Sequence, residues 1–486
     1  MQNVIRFRNW LFLFTWLAVS FALEFHKIVW QPPVSIHQGA QADRAGIALN
    51  YARVSMRFWE PRVMETTTKD GITPCEFPLL NYTAAVFYKI FGFNSVWYRL
   101  IMWCLMGLGL WAAFDMIYRW LNDALGALLL VFTWYFGSIL AFYTANFLPD
   151  TASLSFMLLA LRQWMIYSSE HSNNRIIYFT ILASLACLIK ITSLIFVIGI
   201  MLTTLFLVFR KRTNLAFVWS SFLVFFMVAA WYLYCFWLEK QVGGSYFLMN
   251  IALPASVREL QSWFEIFYKN WFTQIFSLAQ WGFILFGGIA AIFLKEKTVA
   301  KPFVYISLLG IVGFYLLMAG QFRYHDYYAI TLLPFALFFM VFGFSALRKI
   351  NLILAYVIVF GVGTLGFLDA KNGVRLRFTP GSYWYQTFFE PNEFKSLPNW
   401  LSQNKVTEDD KVVVAFDINP NVLLYSFQRR GYRINDHSQE YVKQKLFLTE
   451  TLLVKDEVKF FKMYPETQKT LKFVSSNNGW KLYKLN

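Results

Sequence analysis

Residues Thr192–Phe209 read TSLIFVIGIMLTTLFLVF, a run without a charge, and Arg210-Lys211-Arg212 follow at once. As a helix this run nearly matches the bilayer core, which is about 30 Å thick and takes about 20 residues to cross. The basic stop marks its inner end, because short cytoplasmic loops collect Lys and Arg. Similar apolar runs recur at Trp10–Val29, Val96–Tyr118, Ala124–Phe142, Thr151–Tyr167, Ile176–Leu188, Leu215–Trp237, Phe272–Leu294, Pro302–Ala319, Tyr327–Leu347 and Leu352–Leu368. The expected fold is therefore mainly α, a polytopic helical membrane protein of about eleven transmembrane helices.

Composition agrees. The chain is 57% hydrophobic and 15% charged, whereas a soluble chain carries about 25% charged residues. The net charge of +16 raises nucleic acid as a partner. No basic tract interleaved with aromatics lies outside the apolar runs, so that class is set aside in favour of cationic inner loops and anionic lipid. Cys104, Cys187 and Cys235 fall in apolar runs, Cys75 stands in a polar loop, and no zinc spacing is present.

With the N-terminus in the cytoplasm, Arg119, Arg175, Arg210-Lys211-Arg212, Lys295, Lys297, Lys301, Arg348 and Lys349 fall at inner ends. Arg6 and Arg8 precede a first span read as an uncleaved anchor. The outer side then receives a long first loop (30–95), the Gln321–Asp326 turn and everything after Leu368. The expected division is a membrane domain, 1–370, and a small extracytoplasmic α/β domain, 371–486. In the latter, Lys411–Phe416 reads as a buried strand. Asn419-Pro420 opens a helix that Gly431 closes, Asn435–Lys462 reads as mostly helical, and Lys472–Leu485 is a hairpin about Asn477-Asn478-Gly479. Phe77–Phe93 reads as an amphipathic helix along the membrane surface.

The first outer loop carries Ile36–Tyr51, IHQGAQADRAGIALNY. From Ala40 it suits a short helix whose carboxylate, Asp43, is surrounded by small residues that let backbone, lipid or sugar approach. A polar loop that happens to hold an Asp is the other reading. Asp150 opens a span as an N-cap or as a second carboxylate facing Asp43. Lys190, between two apolar segments, either snorkels or binds a phosphate. Gln321-Phe322-Arg323-Tyr324-His325-Asp326-Tyr327-Tyr328 is the densest polar turn between spans. Arg323 can hold a phosphate through two N–H groups and His325 can add a third donor. Glu76, Arg44 and Tyr324 complete the outer polar set. Ionisable residues at span ends face a cavity or a partner more often than lipid. Carboxylates beside cations suit a hydroxyl attack with a lipid phosphate as leaving group.

Gln41-Ala42-Asp43, Glu76-Phe77-Pro78-Leu79, Pro149-Asp150, Leu188–Thr192 and His325-Asp326-Tyr327-Tyr328, with Pro334 beyond, occur in an order that resembles the GT-C type membrane glycosyltransferases. The protein mannosyltransferase and lipid A aminoarabinose transferase group is the nearest likeness. The likeness covers about residues 1–370, with a loose match at Asp417-Ile418-Asn419-Pro420 and Arg430-Gly431-Tyr432. It implies a polyprenyl-phosphate-linked sugar donor, a lipid, glycan or protein acceptor, inversion, Asp43 as base, and phosphate ligands at Lys190, Arg323 and His325. Some relatives use a divalent metal, which Asp43 with Asp150 would have to hold. Departures are Arg44, where a second acid is common, and Gly39-Ala40, where Arg or Trp is common. The expected location is the inner membrane of a bacterium. A transporter or flippase, and a non-catalytic envelope subunit, are the rival readings.

Overall fold

The computed structural model describes residues 2–210, 213–247, 253–295 and 298–486, without the side chains of residues 2–6, 168 and 169. Lys211, Arg212 and Lys297, assigned above to the inner face, lie outside the described residues, as does the side chain of Arg6. Among the described residues, five helices are long and apolar enough to cross a membrane: Val96–Leu121, Ile191–Phe209, Ala216–Val242, Ala300–Phe322 and Leu352–Arg377. A sixth candidate is the pair Asp326–Leu332 and Pro334–Ile350, bent by 53°. Ala124–Tyr135, Asn173–Ile189 and Leu278–Phe293 are apolar but shorter. The chain is an integral membrane protein.

Four of the expected spans are broken, Trp10–Val29, Ala124–Phe142, Phe272–Leu294 and Tyr327–Leu347, and two of the breaks have a plain local reason. In Ala124–Phe142 the helix stops at Tyr135 and a second runs Ser138–Tyr143. Between them Gly137 approaches the Ile275 carbonyl so closely that a Cβ would stand 2.1 Å from its oxygen. In Tyr327–Leu347 the break falls at Pro334, which has no N–H to bond back into the preceding turn. A 3₁₀ turn, Asp326–Leu332, precedes it. The last span continues beyond Leu368 to Arg377.

The chain divides into two compact units. The helical unit comprises Met1–Val29, Arg99–Tyr234 and Met249–Arg377. In it, Asp115 is fully buried and joins three helices. Its carboxylate accepts from Arg8 at 2.6 Å, Arg119 at 2.9 Å and Arg162 at 2.7 Å. A charge in this setting persists only when paired. Helices Leu278–Phe293 and Pro334–Ile350 cross where glycines face each other: a Cβ on Gly287 would lie 1.9 Å from the Phe339 oxygen, and one on Gly343 3.2 Å from the Gly287 Cα. Small residues at such crossings let backbones meet, which is how helices pack in lipid without a hydrophobic drive.

The mixed unit comprises Trp30–Tyr98, Cys235–Leu248 and Phe378–Asn486. Its sheet has β1 (Lys411–Ala415), β2 (Arg430–Ile434), β3 (Thr451–Val454), β4 (Leu471–Asn477) and β5 (Trp480–Leu485), in the order β2-β1-β3-β5-β4. β1 lies parallel to β2 and β3, and β5 runs antiparallel to β3 and β4. The β4–β5 hairpin turns at Asn478 and Gly479, both with positive φ, as the Asn-Gly signal requires. Two expectations for this region are corrected. Asn435–Lys462 is two helices, Gln439–Thr449 and Glu457–Met463, separated by the buried strand β3. Gly431 closes no helix: the helix Val422–Phe427 ends on left-handed Gln428. Gly431 lies in β2 at φ +155°, where a Cβ would meet the Val412 oxygen at 1.8 Å. Its backbone bonds to Met64 and Thr66, so first-loop residues extend the edge of β2.

The glycine crossing generates a test. Gly287→Ala is expected to lower the melting temperature in detergent, overpacking costing about 1–3 kcal/mol. Gly282→Ala, with nothing within 4 Å of its Cβ, is expected to be neutral or slightly stabilising. Equal melting temperatures would rule out contact at Gly287.

Candidate active site

The helix Gln38–Arg53 places Gly39, Asp43, Gly46 and Asn50 along one face, since residues three and four apart are neighbours. Both glycines are needed there. A Cβ on Gly39 would stand 2.4 Å from the Asn419 side-chain oxygen, and one on Gly46 2.8 Å from Met64 Cγ. Asn50 donates to the Arg62 carbonyl at 2.9 Å. The small residues therefore let the turn before Val422 and the loop around Met64 close onto the helix, and both flank Asp43.

Asp43 keeps 18% of its side chain open. Its Oδ1 accepts from Asn421 Nδ2 at 2.7 Å, and Oδ2 is 3.6 Å from Arg44 Nη1. Arg44 also pairs with Glu76 at 2.8 Å, and its guanidinium lies 4.8 Å from the Phe247 ring centre. Glu65 is buried, accepts from Thr67 at 3.1 Å and lies 3.7 Å from Arg433. A neighbouring cation or hydrogen-bond donor holds a carboxyl pKa down. Arg44 and Asn421 do act in that direction, but burial acts more strongly the other way, with Glu76 and Glu65 adding to it, so the carboxyl stands above its ordinary value. Burial likewise pushes Asp417 up to about 7, against two backbone N–H bonds and Arg433.

In the helical unit, Asp150 occupies the first helical position of Asp150–Glu170, directly after Pro149. Its carboxylate lies 3.2 Å from Lys190 Nζ, with the two side chains 0% and 9% exposed. Lys190 ends the helix Asn173–Ile189, so the pair ties the start of one helix to the end of the next. The ammonium also sits 4.8 Å from the Tyr328 ring centre and 5.4 Å from that of Tyr327. His325 meets the same two rings, edge-on to Tyr328 at 5.8 Å and tilted against Tyr327 at 5.3 Å. Lys190 and His325 are thus brought together around one tyrosine pair. Arg323 lies instead over Trp263 and exposed Tyr324, 5.3 and 4.3 Å from the ring centres.

Sequence reading missed several participants. Asp326 is fully buried, accepts from the Tyr143 hydroxyl at 2.7 Å and lies 3.8 Å from Arg377 Nη2. Arg377 was invisible because the span was ended at Leu368. Asn421 and Asp417 lie more than 350 residues from Asp43 in sequence. Their one local signal was the Asp-x-Asn-Pro-Asn turn, in which Asp417 accepts the backbone N–H of Asn419, an Asx turn. Among the described residues no three His, Cys, Asp or Glu side chains converge as a metal site.

The Alg9-like mannosyltransferase family model matches residues 50–240. No curated protein matches the sequence. Among solved structures, the fold is similar to that of ArnT from Cupriavidus metallidurans in the apo state, with TM-score 0.63, 11% identity, and 97% of each chain covered. It is also similar to the Archaeoglobus fulgidus oligosaccharyltransferase in complex with Zn and sulfate, with TM-score 0.59, 12% identity, and 97% of this chain and 73% of that one covered. The same organism's AglB, in complex with an inhibitory peptide and a dolichol-phosphate, aligns with TM-score 0.53 and 12% identity over 99% and 75% of the two chains. The fold is GT-C, and with it the family match supports a membrane glycosyltransferase.

The Asp150–Lys190 pair generates a second test. Lys190→Met leaves a buried carboxylate without its counter-charge and is expected to destabilise the protein by about 3–5 kcal/mol. Asp150→Asn with Lys190→Met should recover most of that loss. Thermal unfolding in detergent reads it, and an unaltered melting temperature for Lys190→Met alone would contradict the pair.

Proposed function

We propose that this protein moves a sugar from a polyprenyl-phosphate-linked donor to an acceptor hydroxyl on the extracytoplasmic side of the membrane, with inversion at the anomeric carbon. The observation that carries the reading is Asp43: a largely buried carboxylate with two fixed partners and an open edge, in a chain of GT-C fold. In this reading the acceptor oxygen attacks the anomeric carbon while Asp43 takes its proton. The bond from that carbon to the donor phosphate breaks, and the phosphate leaves with the electron pair. A base works best with a pKa near the working pH, and the raised value of Asp43 moves it that way.

The leaving phosphate needs positive charge more than it needs an acid. Lys190 and His325 are assigned to it, with Arg323 as a further cation. Asp150 orients Lys190 until the phosphate competes for it. The chain is read with eleven passes, a cytoplasmic N-terminus, and the first loop and C-terminal domain outside, in the inner membrane of a bacterium. The basic residues of the inner loops support that orientation. The acceptor is a lipid, a glycan or a protein.

Asp43→Asn keeps the size of the side chain and removes its charge and basicity. Turnover by the purified protein in lipid is expected to fall about 100-fold or more, the lower range for general-base catalysis. Binding of the donor lipid should be retained. Transfer within a few-fold of wild type would exclude Asp43 as the base.

A further inference from the structure

We infer that Asn421, in the small α/β region, is a positioning residue for Asp43, so that the C-terminal part of the chain contributes directly to the active site. The inference rests on the reading of Asp43 as the base. Asn421 is 1% exposed and both ends of its amide are used. Its Oδ1 accepts the backbone N–H of Glu65 at 2.9 Å, and its Nδ2 donates to Asp43 at 2.7 Å. The first bond fixes the second. A backbone N–H can only donate, so the amide oxygen must face Glu65 and the NH₂ must face the carboxylate.

The turn that presents Asn421 is itself held. Asp417 accepts the backbone N–H of Asn419 at 3.0 Å with one oxygen and that of Leu423 at 2.7 Å with the other. Asn419 then fits against Gly39, one turn before Asp43. The amide is therefore aimed from a clamped turn at a carboxylate on a helix that is notched to receive it. A bond to the charged form of an acid favours that form, so the Asn421 amide both fixes the carboxylate orientation and helps keep it ready to accept a proton. The charged groups around Asp43 are Arg44 on its own helix, Glu76 before the helix Leu79–Phe91, Glu65 in the first loop, and Asp417 in the turn. Of these, Arg44 alone supports the ionised state, which leaves the neutral amide of Asn421 as its second support.

Asn421→Asp separates the two roles of this side chain. The new carboxylate is nearly isosteric and still accepts from Glu65, so the turn keeps its anchor. It cannot donate to Asp43 and sets a like charge against it. In the full-length protein in lipid, kcat at neutral pH is expected to fall about tenfold or more, with the donor KM within twofold of wild type. The acidic limb of the kcat–pH profile should move up by at least one unit, since each pKa unit is tenfold in ionised fraction. If this variant does not accumulate as folded protein, Asn421→Ala carries the same measurement, with a smaller shift in the same direction. A purely structural role predicts less folded protein with kcat and the pH profile unchanged, and that result overturns the inference. Asp43→Asn is measured alongside. Should Asp43→Asn be inactive while folded Asn421→Asp matches wild type, the inference falls and the base assignment stands. Near-normal transfer by Asp43→Asn removes both.

Discussion

A carboxylate taken largely out of water survives as an anion only where something replaces the water it lost. For Asp43 the replacements come from two directions: Arg44 on the same helix, itself paired with Glu76, and the Asn421 amide from beyond β1. Much of the mixed unit is arranged so that these can meet. Gly39 and Gly46 clear the approach, Asp417 holds the turn, and Gly431 accepts the first-loop backbone onto β2. The same burial that makes the arrangement necessary raises the proton affinity of Asp43. That property is what a general base needs.

The helical unit follows the same rule with different partners. Asp115 is balanced by three arginines, Asp150 by Lys190, and Asp326 by Tyr143 and Arg377. Each joins separate elements of the unit, alongside neutral bonds such as that from the Ser153 hydroxyl to the Ala186 carbonyl at 2.8 Å. Polar groups within a membrane protein are costly enough that they are placed for fixing geometry or for function. Asp115 and its arginines explain themselves as a fastening between three helices. Lys190 is different, because beside Asp150 it touches two tyrosines that His325 shares. In the function proposed for the protein, that setting receives the leaving phosphate.

The legible part of the fold was the part written in short-range pattern. Apolar length located the five helices that, among the described residues, are long enough to cross a membrane, short of the eleven expected, and Asn477-Asn478-Gly479 gave the hairpin because its turn needs positive φ and those residues accept it. Glycine misled at Gly431, since the residue signals a backbone conformation and not the element that demands it. The break at Gly137 depends on the Ile275 carbonyl, which no local window contains. Charged residues after Leu368 looked like the end of a helix, although a helix leaving an apolar setting has no reason to stop. Asp43 was legible as a lone carboxylate among small residues in a loop beside a membrane chain. Its partner Asn421 was not, because only the folded unit brings position 421 to position 43.

The central claim is that the protein transfers sugar to the cell envelope. The most direct measurement is mass analysis of envelope lipids, glycans and glycoproteins from source cells with the gene deleted and with it restored. The account predicts a species lighter by one sugar residue in the deletion, returning to full mass on restoration. Identical envelope masses under conditions where the protein is made would contradict it.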